Sequence, residues 1–341
     1  MNNYLKCIKI DECSITPKYL QLTHAILQGI RKEQIKKNDI LPSINEFSIV
    51  LETARNTVER AYKELRKMGL VTPIAGKGYF ITAIEFNNPI KILLLFNKLS
   101  LHKKIIYDAF AATLGSEAAI DFYIYNNDFN LFKKLLEEKA DAYSKCVIIP
   151  NFTACKEMGY ALIDTIPKNK LVLMGKLADH ITGDFTAVYE NFETDLFNAL
   201  EELRPNLAKY HTLKIIFPES SYYSEKILCG FANFCRKYAY SHQVINCIAT
   251  EKIASGIVYI TLMEDDLVTL IEKVVKQNLN VGKDIGVISY NETPLKKIIL
   301  DGITTISTDF KMMGEKTAEF ILSNVTTHLA IPFSVTLRNS L

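Results

Sequence analysis

Hydrophobic positions along this chain change their spacing twice. At the start they recur every three or four residues, as on the buried face of a helix. Leu20, Ile26, Leu27 and Ile30 give one such face, on a helix that Pro17 starts, Gly29 interrupts and the charged stretch 31–39 ends. A short second helix opens at Pro42-Ser43. Ser43 and Glu46 have the S-x-x-E spacing of a capping box, and Phe47 lies on one face with Val50 or Leu51. Glu52-Thr53 makes a turn. A third helix covers about 54–68, with Val58, Ala61, Tyr62 and Leu65 on one side and Gly69 as its stop. Over 71–82 the period drops to two, a hairpin with Gly76-Lys77-Gly78 at its turn. Residues 1–16 have no clear period and are expected to form an arm or strand packed on these helices.

From Ile90 the texture is different: short apolar runs alternate with longer amphipathic stretches. Strands are expected at 90–96, 120–125, 146–149, 170–174, 185–189, 213–217, 243–248, 257–260 and 285–289. Helices are expected at 102–114, 129–140, 153–164, 192–209, 222–238, 266–277 and 310–323. Strand–helix alternation means parallel sheets with helices on both faces. About ten strands over roughly 250 residues are too many for one comfortable sheet, so two lobes are expected. The division is then a small α+β head over 1–82, a linker over 83–89 and an α/β body over 90–341.

Charge sharpens this division. The 341 residues carry a net +2, but Lys and Arg outnumber Asp and Glu by 13 to 8 up to Thr82 and fall short by 27 to 30 beyond it. A basic head on a mildly acidic body suits a nucleic-acid reader joined to something that does not touch DNA. The seven cysteines include no C-x-x-C pair and read as free thiols. Residues 1–11 are polar and charged, unlike an export signal, and no apolar run nears the ~20 residues of a membrane span. The expected place is the cytoplasm, with no membrane partner.

Two helices joined by a short turn make a helix-turn-helix, whose second helix enters the major groove. Here it opens with Arg55, Asn56 and Thr57; Arg forks onto guanine and Asn onto adenine. Lys77, between two glycines at the hairpin tip, would lie on phosphate or in the minor groove. On these residues alone an ordinary small helical domain with a solvated Arg and Lys is the alternative. Residues 17–82, however, resemble the GntR-type winged helix throughout: Tyr19 and Gln21, Leu41-Pro42-Ser43, Arg55-Asn56-Thr57-Val58, Ala61-Tyr62-x-x-Leu65, Gly69-Leu70 and Gly76-x-Gly78-Tyr79-Phe80. The resemblance implies that Ser43, Arg55, Asn56, Thr57 and Lys77 face DNA, with Asn45 and Gly78 beside them. Asn45 stands where the family often has Arg, and Glu59 where many members have a base.

In open α/β sheets ligands bind beyond the carboxyl ends of the strands. The residues there are polar, among them Asn97-Lys98, Asn126-Asn127, Glu190-Asn191, Asp265-Asp266 and Tyr290-Asn291. Strand ends are polar in most α/β proteins; as a set these suit a polyol, whose hydroxyls both donate and accept. The body resembles the LacI-type effector domain, itself like periplasmic sugar-binding proteins, most closely in Val281-Gly282-Lys283-Asp284-Ile285-Gly286-Val287-Ile288-Ser289-Tyr290-Asn291-Glu292 and in Gly302-Ile303-Thr304-Thr305-Ile306-Ser307-Thr308-Asp309-Phe310. That resemblance implies ligand contacts at Asp265, Asn291 and Thr308, to which the strand-end rule adds Asn97 and Asn126. Ile227 stands where the family has a ligand-clamping Arg.

No metal set, P-loop or nucleophile elbow is present, so neither catalysis nor a cofactor is expected. Winged helix and sugar-binding body occur together in arabinose-responsive repressors, which this architecture resembles. The expected function is a ligand-responsive regulator, a repressor of a sugar-utilisation operon. It would bind double-stranded operator DNA as a homodimer and answer to a monosaccharide or sugar phosphate. The alternatives are a solute-binding or sensor protein without a DNA role, and a sugar-metabolism enzyme with a regulatory head.

Overall fold

A computed structural model describes residues 8, 10–32, 34–74, 78–82, 89–178, 180–218 and 223–341. The head consists of α1 (Lys18–Arg31), β1 (Ile40–Leu41), α2 (Ile44–Val50), α3 (Arg55–Lys67), β2 (Val71–Ile74) and β3 (Gly78–Ile81). Its strands pair antiparallel in the order β1-β3-β2. Leu22, Ile26, Phe47, Val58, Tyr62 and Leu65 meet in one core, none more than 1% exposed. Burying each such side chain stabilises the head by about 1.5–3 kcal/mol. The Tyr62 hydroxyl avoids a desolvation cost by donating to the Pro42 carbonyl.

The Ser43–Glu46 capping box forms as its spacing predicts. Gly29 does not interrupt α1, which runs on to Arg31. A Cβ there would lie 2.6 Å from the Ile35 side chain, so the glycine makes room for the segment that folds back over the helix. The expected hairpin tip, Gly76-Lys77, and most of the expected linker, 83–88, lie outside the described residues.

Beyond the linker the chain folds into two lobes. In order come β4 (Ile90–Phe96), α4 (Leu101–Leu114), β5 (Ala118–Ile124), α5 (Phe129–Lys139), β6 (Lys145–Ile148), α6 (Lys156–Asp164), β7 (Leu171–Gly175) and β8 (Thr186–Tyr189). Then follow α7 (Phe192–Leu207), β9 (Thr212–Ile216), α8 (Lys226–Lys237), β10 (Ser241–Ile245), β11 (Ile257–Thr261), α9 (Glu264–Lys276), β12 (Gly286–Tyr290) and β13 (Thr304–Thr308). Last are α10 (Phe310–Leu322), β14 (His328–Ala330) and β15 (Phe333–Thr336). Lobe 1 is a parallel sheet in the order β14-β8-β7-β6-β4-β5, and lobe 2 has the order β10-β9-β11-β12-β13-β15. Each sheet has an apolar core on both faces.

The chain passes between lobes three times: from β8 to α7, from β13 to α10, and from β14 to β15. These three crossings form the hinge region between the lobes. The last crossing departs from the all-parallel expectation, because β15 runs antiparallel to β13. Strands of three and four residues are too short to show a period in sequence.

The N-terminal arm also departs from expectation. Ile8 does pack in the head core, but residues 11–16 reach lobe 1 and cover its edge strand β5. Ile15 donates its N–H to the Phe122 carbonyl at 2.9 Å. The Thr16 hydroxyl donates to Ile120 O and accepts from Phe122 N, both at 2.9 Å. An edge strand with unpaired backbone groups is thereby occupied.

Candidate functional site

Two places collect the sequence-predicted site residues. The first is the outer end of α3. Residues 51–53 turn the chain sharply, with Glu52 left-handed at φ 47° and the turn pinned by the Ser48 hydroxyl on the Thr53 carbonyl. Helix α3 then begins at Ala54, whose side chain offers no cap. Arg55 and Asn56 are exposed there and Thr57 is half-buried. Ser43 and Asn45 are exposed at the start of α2, although Ser43 already caps that helix. An uncapped helix N-terminus carries partial positive charge on its N–H groups, suited to phosphate. Gly78, at φ +98°, opens β3; Lys77 lies outside the described residues.

The second place is a cleft of about 330 Å³ between the lobes, at the carboxyl ends of both sheets. That volume lies in the range of small-molecule sites. Of the expected ligand contacts, Asn97, Asp265 and Asn291 line it. Asn126 does not: it sits exposed in a left-handed turn, and its neighbour Asn127 instead accepts a 2.8 Å hydrogen bond from Asn97 Nδ2. Thr308 is buried at the hinge, off the cleft surface, and donates to the Glu190 carboxylate at 2.8 Å. Thr308 thus touches the cleft-lining residue Glu190 without lining the cleft itself. Ile227 is a core residue, as an apolar replacement for a clamping cation would be.

Several polar atoms on this cleft have no partner among the described residues: Asn97 Oδ1, Asn291 Oδ1, the Tyr290 hydroxyl and His102 Nε2. Asn97, Tyr290 and Asn291 are at most 5% exposed. Leaving a buried polar group unpaired costs about 1–3 kcal/mol, a cost that a bound hydrogen-bonding partner would remove. Asn291 is held firmly. Its backbone is left-handed at φ 66°, its N–H donates to Ile306 O at 2.8 Å, and its Nδ2 donates to the Tyr223 hydroxyl at 3.1 Å. Behind it Lys296, 3% exposed, donates to the carbonyls of Tyr290 and Asn291 at 3.0 and 2.7 Å.

Burial sets the charge states. It holds the Lys296 ammonium down at about 8. Burial, and then the Lys296 charge, bring the His102 ring down to about 4, so it is neutral near pH 7. Burial pushes the Glu190 carboxyl up, against the Thr308 hydrogen bond and the Lys103 charge; it pushes Lys103 down, against the Glu190 charge. The strand-end rule points to Lys98, Glu190 and Tyr290 in the sequence. It misses His102 and Lys103, which come from the first turn of α4, and Lys296, which comes from a short 3-10 turn.

A winged-helix head on a hinged, two-lobed body with a cleft at its strand ends defines the class. The comparisons agree in both parts. Residues 18–81 match the model of bacterial regulatory proteins of the gntR family, so the head is a GntR-type helix-turn-helix. The transcriptional repressor YtrA of Bacillus subtilis is 36% identical over 75 residues, 22% of this chain and 58% of that one. The arabinose metabolism transcriptional repressor of Geobacillus stearothermophilus is 38% identical over 66 residues, 19% of this chain and 18% of that one. The chain spans little more than half the length of the first curated relatives it matches, 58% and 56%. A lac repressor dimer bound to operator and an anti-inducer superposes with a TM-score of 0.61 at 15% identity, over 74% of this chain and 94% of that one. The body thus has the fold of LacI-type repressors. These relatives are named as repressors of transcription, not as enzymes. Among the described residues no helix is long and apolar enough to cross a membrane.

Proposed function

We propose that this chain is a ligand-responsive regulator of transcription that represses a sugar-utilisation operon. One juxtaposition carries the reading: an uncapped helix end bearing exposed Arg55 and Asn56, in the same chain as an interlobe cleft with unpaired buried acceptors. The small-molecule effector closes the lobes about the three hinge crossings. Closure changes how two copies hold their heads, and with it the spacing of two α3 helices on operator DNA. A homodimer is part of the proposal because one such module makes too few base contacts for selective binding. Linkage requires that the effector change DNA affinity by the same factor as DNA changes effector affinity. In this reading Ser43, Asn45, Arg55, Asn56, Thr57, Lys77 and Gly78 meet DNA, and Asn97, Asp265 and Asn291 meet the effector.

Gel shift on DNA upstream of the chain's own gene, with and without sugars, tests this. The expected result is a sequence-preferring complex that weakens with salt and whose affinity a sugar alters. No such complex at any salt concentration would leave a solute-binding or sensor protein instead.

A further inference from the structure

The cleft is not chemically uniform from end to end. Its lobe 1 wall carries Lys98, just after β4, Lys103, in the first turn of α4, and Lys176, just after β7. Its lobe 2 wall carries the carboxylates Glu264 and Asp265, at the start of α9, and Lys296, whose ammonium is occupied by the Tyr290 and Asn291 carbonyls. Glu190, whose charge acts on Lys103, accepts a hydrogen bond from Thr308 at the hinge. We infer that the cleft takes a phosphorylated monosaccharide, its phosphate held by Lys98, Lys103 and the N-terminus of α4, its hydroxyls by Asn97, Asn291 and the carboxylates of lobe 2. This rests on the proposed regulator reading and names the chemical class of its effector.

Three observations converge on it. Helix α4 has 14 residues, and its N-terminal residues Ser100 to Lys103 line the cleft, so its dipole favours an anion there. The Ser100 hydroxyl caps only the Lys103 N–H, at 3.3 Å. Next to this end Asn97, 2% exposed and part of the cleft lining, has a buried, unpaired Oδ1 while its Nδ2 is tied to Asn127. With its amide so fixed, Asn97 offers an acceptor, which suits a sugar hydroxyl and repels a bare anion. Asn291 Oδ1, fixed through Tyr223, offers a second acceptor from lobe 2. The Lys103 ammonium, supported by the Glu190 charge and opposed by that of Lys98, therefore sits with Lys98 beside acceptors that need donors. A ligand with an anionic end and a polyol end satisfies both sets, and a neutral sugar satisfies only the second.

Binding to the full-length protein is measured by thermal shift and calorimetry. The probes are inorganic phosphate, glucose 6-phosphate, fructose 6-phosphate and arabinose 5-phosphate, beside glucose, fructose and arabinose. At least one ester is expected to bind tenfold or more tightly than its parent sugar. Lys98→Gln is expected to erase that advantage by weakening the ester far more than its parent sugar, with the variant read against its own unliganded melting curve. Lys103→Gln is the second variant, to be read only with its own unliganded melting curve because Lys103 faces buried Glu190. Parent sugars binding as tightly as their esters, a phosphate preference that survives Lys98→Gln, or no binding by any phosphate probe overturns the inference. Gel shifts on the same samples separate the two readings. A protein that binds its operator but ignores the phosphates loses only this inference; one that binds no DNA loses the regulator reading as well.

Discussion

The Tyr123 hydroxyl donates a 2.9 Å hydrogen bond to the Asp11 carboxylate, tying the N-terminal arm to strand β5 of lobe 1. Lys139 on α5 adds an ion pair to the same carboxylate at 3.1 Å, and its ammonium sits 4.8 Å from the centre of the Tyr123 ring. On its other side Asp11 is held by the head: its N–H donates to Gln21 Oε1 at 2.8 Å, and Gln21 Nε2 also donates to Thr16 O. Gln21 lies on α1, so one short path runs from the head through Asp11 to lobe 1.

That path predicts a separation of coupling from stability. Asp11→Asn removes the ion pair but leaves the backbone bonds to Gln21. The pair is partly exposed, so the loss of stability is expected to stay near 1 kcal/mol or below. If lobe 1 steers the head through this contact, Asp11→Asn and Tyr123→Phe should both shrink the effect of effector on DNA affinity. Each should bind DNA normally without effector. Titrating DNA affinity with and without effector checks this; an undiminished response in both variants would show that the arm is only a tether.

Helix α3 predicts that stability and DNA affinity move in opposite directions at one position. Ala54 has the extended backbone of an N-cap, at φ −65° and ψ 142°, but no side-chain acceptor. Ala54→Asp would cap the helix and stabilise the head by about 0.5–2 kcal/mol. The same carboxylate would occupy the N–H groups proposed to meet phosphate and would repel it. Melting temperature should therefore rise while DNA affinity falls, and the fall should be greatest at low salt. Arg55→Ala is the companion, expected to cost about 1–3 kcal/mol of specific binding and to blur one base position. Unchanged binding in both variants would move the DNA surface away from α3.

The two sites were unequally visible in sequence, for a physical reason. The head is built of local signals: a cap box, a helical apolar face and a glycine stop each lie within a dozen residues. Asn97, Asp265 and Asn291 were also legible, because the ends of apolar runs announce themselves. Asn126 obeys the same rule yet turns outward, since a left-handed turn hands the inward role to Asn127. Lys103 and Lys296 had no local signal. They reach the cleft only because α4 starts at its rim and a 3-10 turn folds back under Asn291. The hinge contact of Thr308 with Glu190 joins residues 118 apart, which no local pattern encodes.

His102 gives a dependence on pH. Its folded value is depressed to about 4 from 6.5, by burial first and by Lys296 second. A depressed group contributes stability that is present above its unfolded value and is lost as pH falls through the folded one. Between pH 6.5 and about 4 the folded state should lose up to about 3 kcal/mol from this ring. Asp195 and Glu190, both raised by burial, act with the opposite sign on acidification. The informative quantity is therefore the difference between wild type and His102→Gln. Denaturant unfolding at pH 7 and pH 4.5 should show the variant losing less on acidification. Equal losses would mean that the ring is solvated.

Asn291 tests the cleft most directly. Its Oδ1 is buried and unpaired, while its backbone is pinned by Ile306 and Lys296 independently of the side chain. Asn291→Ala removes the amide and leaves the pinned turn, at the cost of strain for a residue less tolerant of φ 66° than asparagine. Asn291→Asp keeps the shape and the acceptor but adds a charge. Both variants should bind operator DNA as the wild type does without effector. Alanine should abolish the response to effector. Aspartate should weaken an anionic effector more than a neutral one, because its charge repels only the former. Dose–response curves of DNA release, measured for a sugar and for its phosphate, read both effects at once. A normal response from the alanine variant would take Asn291 out of the binding site.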